Sequence, residues 1–187
     1  RIRFIKNVSG MWLLEESLRY WKSKGLELSA GQLVQDARQL PRRQIIDTND
    51  PRFAKPGAMP ERIAEYCRET LQDEPKSPAE FARCIFDSLA DAYAKSLAQL
   101  EDAANMKVSE IDIVGGGSSN DLLNQLTADA TGLKVIAGPV EATVMGNLII
   151  QMMSAGWIMS LVLASHSLDA MPLHWWRLPF VIAGILV

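Results

Sequence analysis

Apolar and polar positions follow a helical period through the first hundred residues. Over Val8 to Lys24, Trp12, Leu13, Ser17 and Trp21 recur at helical spacing with Glu15, Glu16 and Arg19 between them, which predicts an amphipathic helix. The adjacent acids Glu15 and Glu16 read as its solvated face. Ser29 is a capping residue for a shorter helix over Ala30 to Ala37. The pattern then breaks: Pro41, Pro51, Pro56 and Pro60, with Asn49 and Gly57, predict loop, with one short strand over Gln44–Asp47. Helix resumes at Pro60, where a first-turn proline loses no hydrogen bond, and extends to about Leu71. Ser77-Pro78-Ala79-Glu80 has the form of a capping box and opens the longest helix, Pro78 to Ala104. Its stripe of Phe81, Ile85, Leu89, Tyr93 and Leu97 is a core face.

Beyond Ala104 the period changes. Ile111-Asp112-Ile113-Val114 is a β-branched run of strand type, ended by Gly115-Gly116-Gly117. Ser118, Ser119 or Asn120 caps a helix to Thr131, and Gly132 stands where a helix-terminating glycine belongs. Leu133–Ala137 is a second strand, Gly138-Pro139 ends it, and a further helix covers Glu141 to Ala155. Strand–helix–strand–helix order implies a parallel pair. From Trp157 to Val187 charges thin out. A membrane span is disfavoured there, because Asp169, Pro172, His174 and Arg177 interrupt the apolar run.

Composition narrows the function classes. A length of 187 residues suffices for one domain with a core, and a net charge of −3 without a basic stripe excludes a nucleic-acid partner. Cys67 and Cys84 have two readings, a pair of small semi-buried side chains or a disulfide across a helical hairpin. With no CxxC and no Cys/His cluster, no metal site is expected. The chain opens Arg1-Ile2-Arg3-Phe4 with neither Met nor signal peptide, and we read that start as internal to a longer protein.

The candidate chemistry lies at the glycine run. Glycines that end a strand and open a helix let a base, ribose or phosphate approach the backbone, and the helix start offers N–H groups. The run is neither GxGxxG nor GxxxxGK[ST], so a dinucleotide fold and a phosphate-binding P-loop are both disfavoured. Asn120 has two readings of equal weight, an adenine-facing amide or an ordinary cap; Gln125 and Asp129 follow on later turns, Asp129 facing solvent or bonding a neighbouring loop. His166 and His174 stand alone in the tail, and no paired carboxylates suggest acid/base work. The residues alone support a soluble α/β lobe with a nucleotide site at one strand end, and name no reaction.

The segment Ile113–Gln151, I-V-G-G-G-S-S-N-D-L-L-N-Q-L-T-A-D-A-T-G-L-K-V-I-A-G-P-V-E-A-T-V-M-G-N-L-I-I-Q, resembles the adenosine-binding segment of FGGY carbohydrate kinases. K-N-V-S-G-M-W-L-L-E from Lys6, C-R-E-T from Cys67 and A-R-C-I-F-D-S-L-A from Ala82 agree, so the resemblance covers about residues 1–155. The wording V-I-A-G-P-V-E-A-T is more similar to the branch acting on L-rhamnulose than to those acting on xylulose, gluconate or glycerol.

The resemblance implies a cytoplasmic enzyme with two lobes of ribonuclease-H/actin-like fold that bind ATP, Mg²⁺ and a ketose in the cleft between them. This chain would be an incomplete, helix-rich C-terminal lobe with a short parallel strand pair. Its partners would be ATP or ADP, L-rhamnulose or another ketose such as L-fuculose or L-xylulose, and the N-terminal lobe. Gly115, Gly116 and Gly117 would lie against the nucleotide, Asn120 would approach adenine, and Asn7 would stand on the sugar side. Glu15 falls where similar enzymes carry a Gln that contacts ATP, and since a carboxylate near phosphates repels them, either Glu15 points away or nucleotide affinity is weakened. Cys67 and Cys84 match a cysteine pair that similar enzymes carry close together. The catalytic Asp would lie upstream, so the 187 residues alone are expected to be inactive and, with few strands, marginally stable. Residues 157–187 do not resemble the family and have two readings, a frameshifted or mis-called end, which we favour, or a real apolar extension.

Overall fold

The computed structural model describes residues 5–154, residue 156 and residues 181–183. Four helices come first. Helix α1, Trp12–Ser23, starts four residues after Val8, because Val8–Gly10 are held as extended chain: the Ser9 hydroxyl donates to the carbonyl of Thr48 at 2.7 Å. Helix α2, Ala30–Arg38, begins where Ser29 Oγ accepts the Gln32 N–H. Helix α3 is Met59–Glu69, and α4 is Pro78–Ala104, the span the sequence predicts. Ser77 Oγ accepts the Glu80 N–H at 3.3 Å, while Glu80 reaches back one residue further than an ideal capping box, to the Lys76 N–H. At the far end Asn105 adopts left-handed φ/ψ and closes the helix.

Helix α4 is the spine of the fold, with every residue from Cys84 to Ala90 buried. It packs against α2 and, on another face, against a later helix, α5, Asp121–Thr131. Leu13, Leu14, Leu33, Phe53, Met59, Ile63, Ile85, Phe86, Leu89, Leu122 and Leu123 join in one core. Of the predicted stripe, Ile85, Leu89 and Leu97 are buried, whereas Phe81 and Tyr93 lie at its edge.

Three expectations about local structure change. Gln44–Asp47 is not a strand, although Gln44, Ile46 and Thr48 are buried in alternation. Its backbone bonds to side chains: Gln72 accepts the Ile45 N–H and donates to the Ile45 carbonyl, each at 2.8 Å, and Ser88 Oγ accepts the Ile46 N–H at 3.0 Å. Glu16 is not solvated. It is 1% exposed, accepts the Gly57 N–H at 2.9 Å and pairs with Arg19, so it pins the proline-rich loop to α1 while Glu15 beside it stays exposed. The third change lies in the sheet. β1, Glu110–Val114, and β2, Lys134–Ala137, form the predicted parallel pair, with Ile111 opposite Val135. A third strand, β3, Val181–Ala183, pairs parallel to the other edge of β1, giving the order β2-β1-β3. It is a β-branched piece of the run after Leu178, where the sequence reading placed no strand. The other readings of the tail, including its frameshift, His166, His174 and a membrane span, lie outside the described residues. Among those described, no helix is long and apolar enough to cross a membrane.

After β2 comes α6, Ala142–Ser154. It buries no residue: Val144, Met145, Leu148, Ile149, Ile150 and Met153 are all exposed. Cys67 on α3 and Cys84 on α4 are both buried and both free thiols. The hydrogen bond between them holds the Cys67 thiol below its ordinary pKa and pushes Cys84 above it, with burial adding to the rise at Cys84.

Candidate functional site

β1 delivers the chain to Gly115 at the carboxyl end of the sheet. Gly115 has φ 86° and ψ −171°, a conformation reserved for glycine. Its N–H donates to the Pro139 carbonyl at 3.2 Å, and the Gly138 N–H donates to Ile113 O at 2.8 Å, so the loops leaving β1 and β2 are tied together. Gly116–Ser119 form a single 3-10 turn that feeds α5. A Cβ on Gly116 or Gly117 would meet no atom within 4 Å, so open space lies before the turn.

The carbonyls of this turn face inward. Gly115 O accepts both the Ser118 N–H at 3.0 Å and the Ser118 hydroxyl at 2.8 Å. Gly116 O accepts the Ser119 hydroxyl at 2.8 Å, and Gly117 O accepts the Asn120 N–H at 3.1 Å. With the Gly115 and Gly116 carbonyls bonded within the turn, the N–H groups on the same two peptides, those of Gly116 and Gly117, point away from those bonds. Among the described residues the N–H groups of Gly116 and Gly117 have no acceptor. Outward N–H groups beside a helix start suit an anionic or carbonyl-bearing ligand.

Asn120 caps α5: its Oδ1 accepts the Leu123 N–H at 3.1 Å, and the residue is 7% exposed. The capping reading therefore holds, and Oδ1 is occupied within the fold. Its Nδ2 points to Met11 Sδ at 3.9 Å, a weak contact that brings the start of α1 beside the glycine turn. Glu15 follows Met11 by one helical turn, its N–H bonding to the Met11 carbonyl at 3.0 Å, and its side chain is exposed on that face. Structure thus brings together Gly115, Gly116, Gly117, Asn120 and the turn of α1 that carries Glu15. Asn7 is exposed in the segment held by Lys6 to Gln99 of α4 and by Ser9 to Thr48, and has no hydrogen bond to the glycine turn. Gln125 and Asp129 bond to each other at 2.8 Å on the exposed face of α5, as expected for Asp129.

Sequence reading passed over Asn124 and Met11 and took Ser118 only as a candidate helix cap. Ser118 and Asn124 are buried, and Asn124 Nδ2 donates to the Ser118 carbonyl at 2.8 Å. Only the spacing of four between Asn120 and Asn124 hinted that both lie on the face of α5 turned to the loop. No group of three or more His, Cys, Asp and Glu able to hold a metal occurs among the described residues.

The chain matches the FGGY family of carbohydrate kinases, C-terminal domain, over residues 1–155. It is similar to a rhamnulokinase of Halalkalibacterium halodurans, 42% identical over 161 residues that make up 86% of this chain and 34% of the relative. Rhamnulokinases of Enterococcus faecalis and of an Enterobacter species are 46% and 48% identical, over 83% and 82% of this chain and 31% of each relative. The chain therefore spans about a third of the length of the curated relatives it matches. With a glycine turn open to a ligand on an α/β lobe and a family match over most of its length, the chain belongs to the FGGY family of carbohydrate kinases.

Proposed function

We propose that the chain is the nucleotide-binding part of an ATP-dependent kinase that phosphorylates L-rhamnulose on its 1-hydroxyl. The observation that carries the reading is the glycine turn: its carbonyls are bonded inward, its Gly116 and Gly117 N–H groups are unpaired among the described residues, and open space lies before it. The names of the relatives supply the sugar.

In that reading Gly115, Gly116 and Gly117 admit the nucleotide to backbone contact. Asn120 caps α5 and turns its amide nitrogen towards the start of α1, on the adenine side. Glu15 stands on the same side, where its charge weakens affinity for the phosphates. Asn7 serves the sugar side. Mg²⁺ would come with the nucleotide and would supply charge neutralisation at the transferring group. In the reaction the sugar O1 forms a bond to the γ-phosphorus, the bond from that phosphorus to the β,γ-bridging oxygen breaks, and ADP leaves with the electron pair. The hydroxyl proton passes to an Asp carried by the other lobe. Every group assigned here binds rather than reacts, so the 187 residues are proposed to bind nucleotide and transfer no phosphoryl group by themselves. The same lobe would serve a kinase of L-fuculose or L-xylulose, since the sugar is met mostly by the other lobe.

Calorimetric titration of the chain with ADP tests the nucleotide site. Binding that is lost in Gly116→Val and strengthened in Glu15→Gln is expected; no binding at millimolar ADP overturns the reading. Replacing the matching third of the Enterococcus faecalis rhamnulokinase by residues 1–155 tests whether the chain completes a kinase. ATP-dependent turnover of L-rhamnulose is expected, and a soluble but inactive chimera counts against a kinase lobe.

A further inference from the structure

We propose that Asn124 is a positioning residue of this site, holding the glycine turn in the shape that presents its N–H groups; the proposal rests on the nucleotide reading above. Asn124 lies one helical turn into α5 and is 9% exposed. Its own N–H bonds to the Asn120 carbonyl at 3.0 Å, so its backbone belongs to the rigid helix. Its Nδ2 reaches back to the Ser118 carbonyl at 2.8 Å. Ser118 in turn fastens Gly115 through both its hydroxyl and its N–H. A continuous line of bonds thus links α5 through Ser118 to the one residue of the turn whose conformation only glycine adopts.

The line fixes rotation. A peptide's carbonyl and N–H point in opposite directions, so holding the Ser118 carbonyl fixes the Ser118–Ser119 peptide, and Ser118 in turn holds the Gly115 carbonyl, whose peptide carries the Gly116 N–H. The carbonyls of Gly115 and Gly116 are held by Ser118 and Ser119 within the turn, and that of Gly117 by the Asn120 N–H. Only the Ser118 carbonyl is held by a side chain from an element that cannot follow. Nothing of this is capping: Asn120 already caps α5. Asn124 Oδ1 is buried with no donor, so the amide's role in the fold runs through its nitrogen alone.

The test is ADP titration of the 187-residue chain and three variants, with melting followed in parallel. Asn124→Leu keeps the branched side-chain skeleton, with a somewhat larger volume, and removes the donor. It is expected to raise the ADP Kd about tenfold. Gly116→Ala, whose added methyl meets only open space, should weaken ADP without altering the fold. In the double variant the Asn124→Leu effect on ADP should shrink to about twofold, because both act on one turn–ligand contact. The effect on melting should be the same in either background. Wild-type affinity in Asn124→Leu, or losses that simply multiply, would overturn the proposal. If Asn124→Leu does not fold, Ser118→Ala probes the next link and should raise the Kd about fivefold, with unchanged affinity overturning the idea. Failure of the unaltered chain to bind ADP would sink the nucleotide reading first, a result distinct from binding that ignores Asn124.

Discussion

The helical side of the molecule and the sheet side are built to different degrees of completion. On the helical side, α1, α2, α3 and α4 enclose Leu14, Ile63, Ile85, Phe86 and Leu89, all within 1% of full burial. Loops there are bonded too: the Gln44–Asp47 segment has Gln72 and Ser88, and Gly57 has Glu16. On the sheet side, β2 buries none of its residues, with Val135 and Ile136 half-buried between exposed Lys134 and Ala137, and α6 leaves six large apolar residues in contact with solvent. Asp112, on the central strand, buries Oδ2 with no partner. The candidate site lies on the seam. Its glycine turn is fixed by α5, whose Leu122 and Leu123 belong to the helical core, while its strands belong to the open side. Site geometry can therefore be held by the helical side even where the sheet is short of partners.

The largest effect should come from the centre of the closed side. Phe86 is fully buried in α4, and Phe86→Ala removes its ring from the core, costing about 3–5 kcal/mol. A chain of this size should lose about 2–4 °C per kcal/mol, so circular dichroism should record a fall on the order of 10 °C or outright unfolding. A fall of only a degree or two would mean that the helical side is itself loosely packed, and the contrast between the sides would collapse.

Gln72→Ala is next. This side chain replaces a neighbouring strand for Ile45, bonding both its N–H and its carbonyl at 2.8 Å. Removing it leaves two half-buried backbone groups without their partner, at a cost of about 1–3 kcal/mol. Amide hydrogen exchange should rise sharply at Ile45 and little in α4. Equal rises in both would show that the loop and the spine open as one unit.

Asp112→Asn should act with the opposite sign. Burial, then the charge of Glu110, hold the Asp112 carboxyl above its usual pKa, and Lys134 offsets part of this. The folded state thus binds the proton more tightly than the unfolded state does. That stabilisation is fully present below the unfolded pKa and fades as pH rises through the folded one, leaving a fixed penalty at neutral pH. Asp112→Asn should raise the melting temperature at pH 7 by about 2–4 °C, equivalent to roughly 1 kcal/mol, and by less at pH 3. A pH-independent gain would mean that the charge is not the cause.

What was legible in the sequence follows the same division. Helix α4 was readable to the residue because Ser77, Pro78 and Glu80 act on neighbours within four positions. Likewise β1, the glycine turn and β2 carry their signals locally. Gln44–Asp47 misled because its burial alternates as a strand's does, yet its partners are side chains 27 and 42 residues away. Glu16 misled for the same reason: its bond to the Gly57 N–H spans 41 residues. Of the site, the glycines were legible and Asn124 was not, since an amide that reaches back from a helix to a loop carbonyl leaves no mark on composition or period. β3 escaped because pairing with β1 depends on a crossover that no local pattern records.

The smallest expected effect is the one that tests the open side most directly. Leu148 is 55% exposed on α6, a helix that buries none of its residues. Replacing an exposed leucine with glutamine changes little burial and leaves helix propensity almost unchanged, so Leu148→Gln should shift stability by less than about 0.5 kcal/mol. Its consequence should appear in solubility, because a contiguous apolar face drives self-association at high concentration. Light scattering at rising concentration should therefore show less association for Leu148→Gln at an unchanged melting temperature. A substantial drop in melting temperature would instead place Leu148 inside a packed layer in solution, and the sheet side would have to be counted as closed.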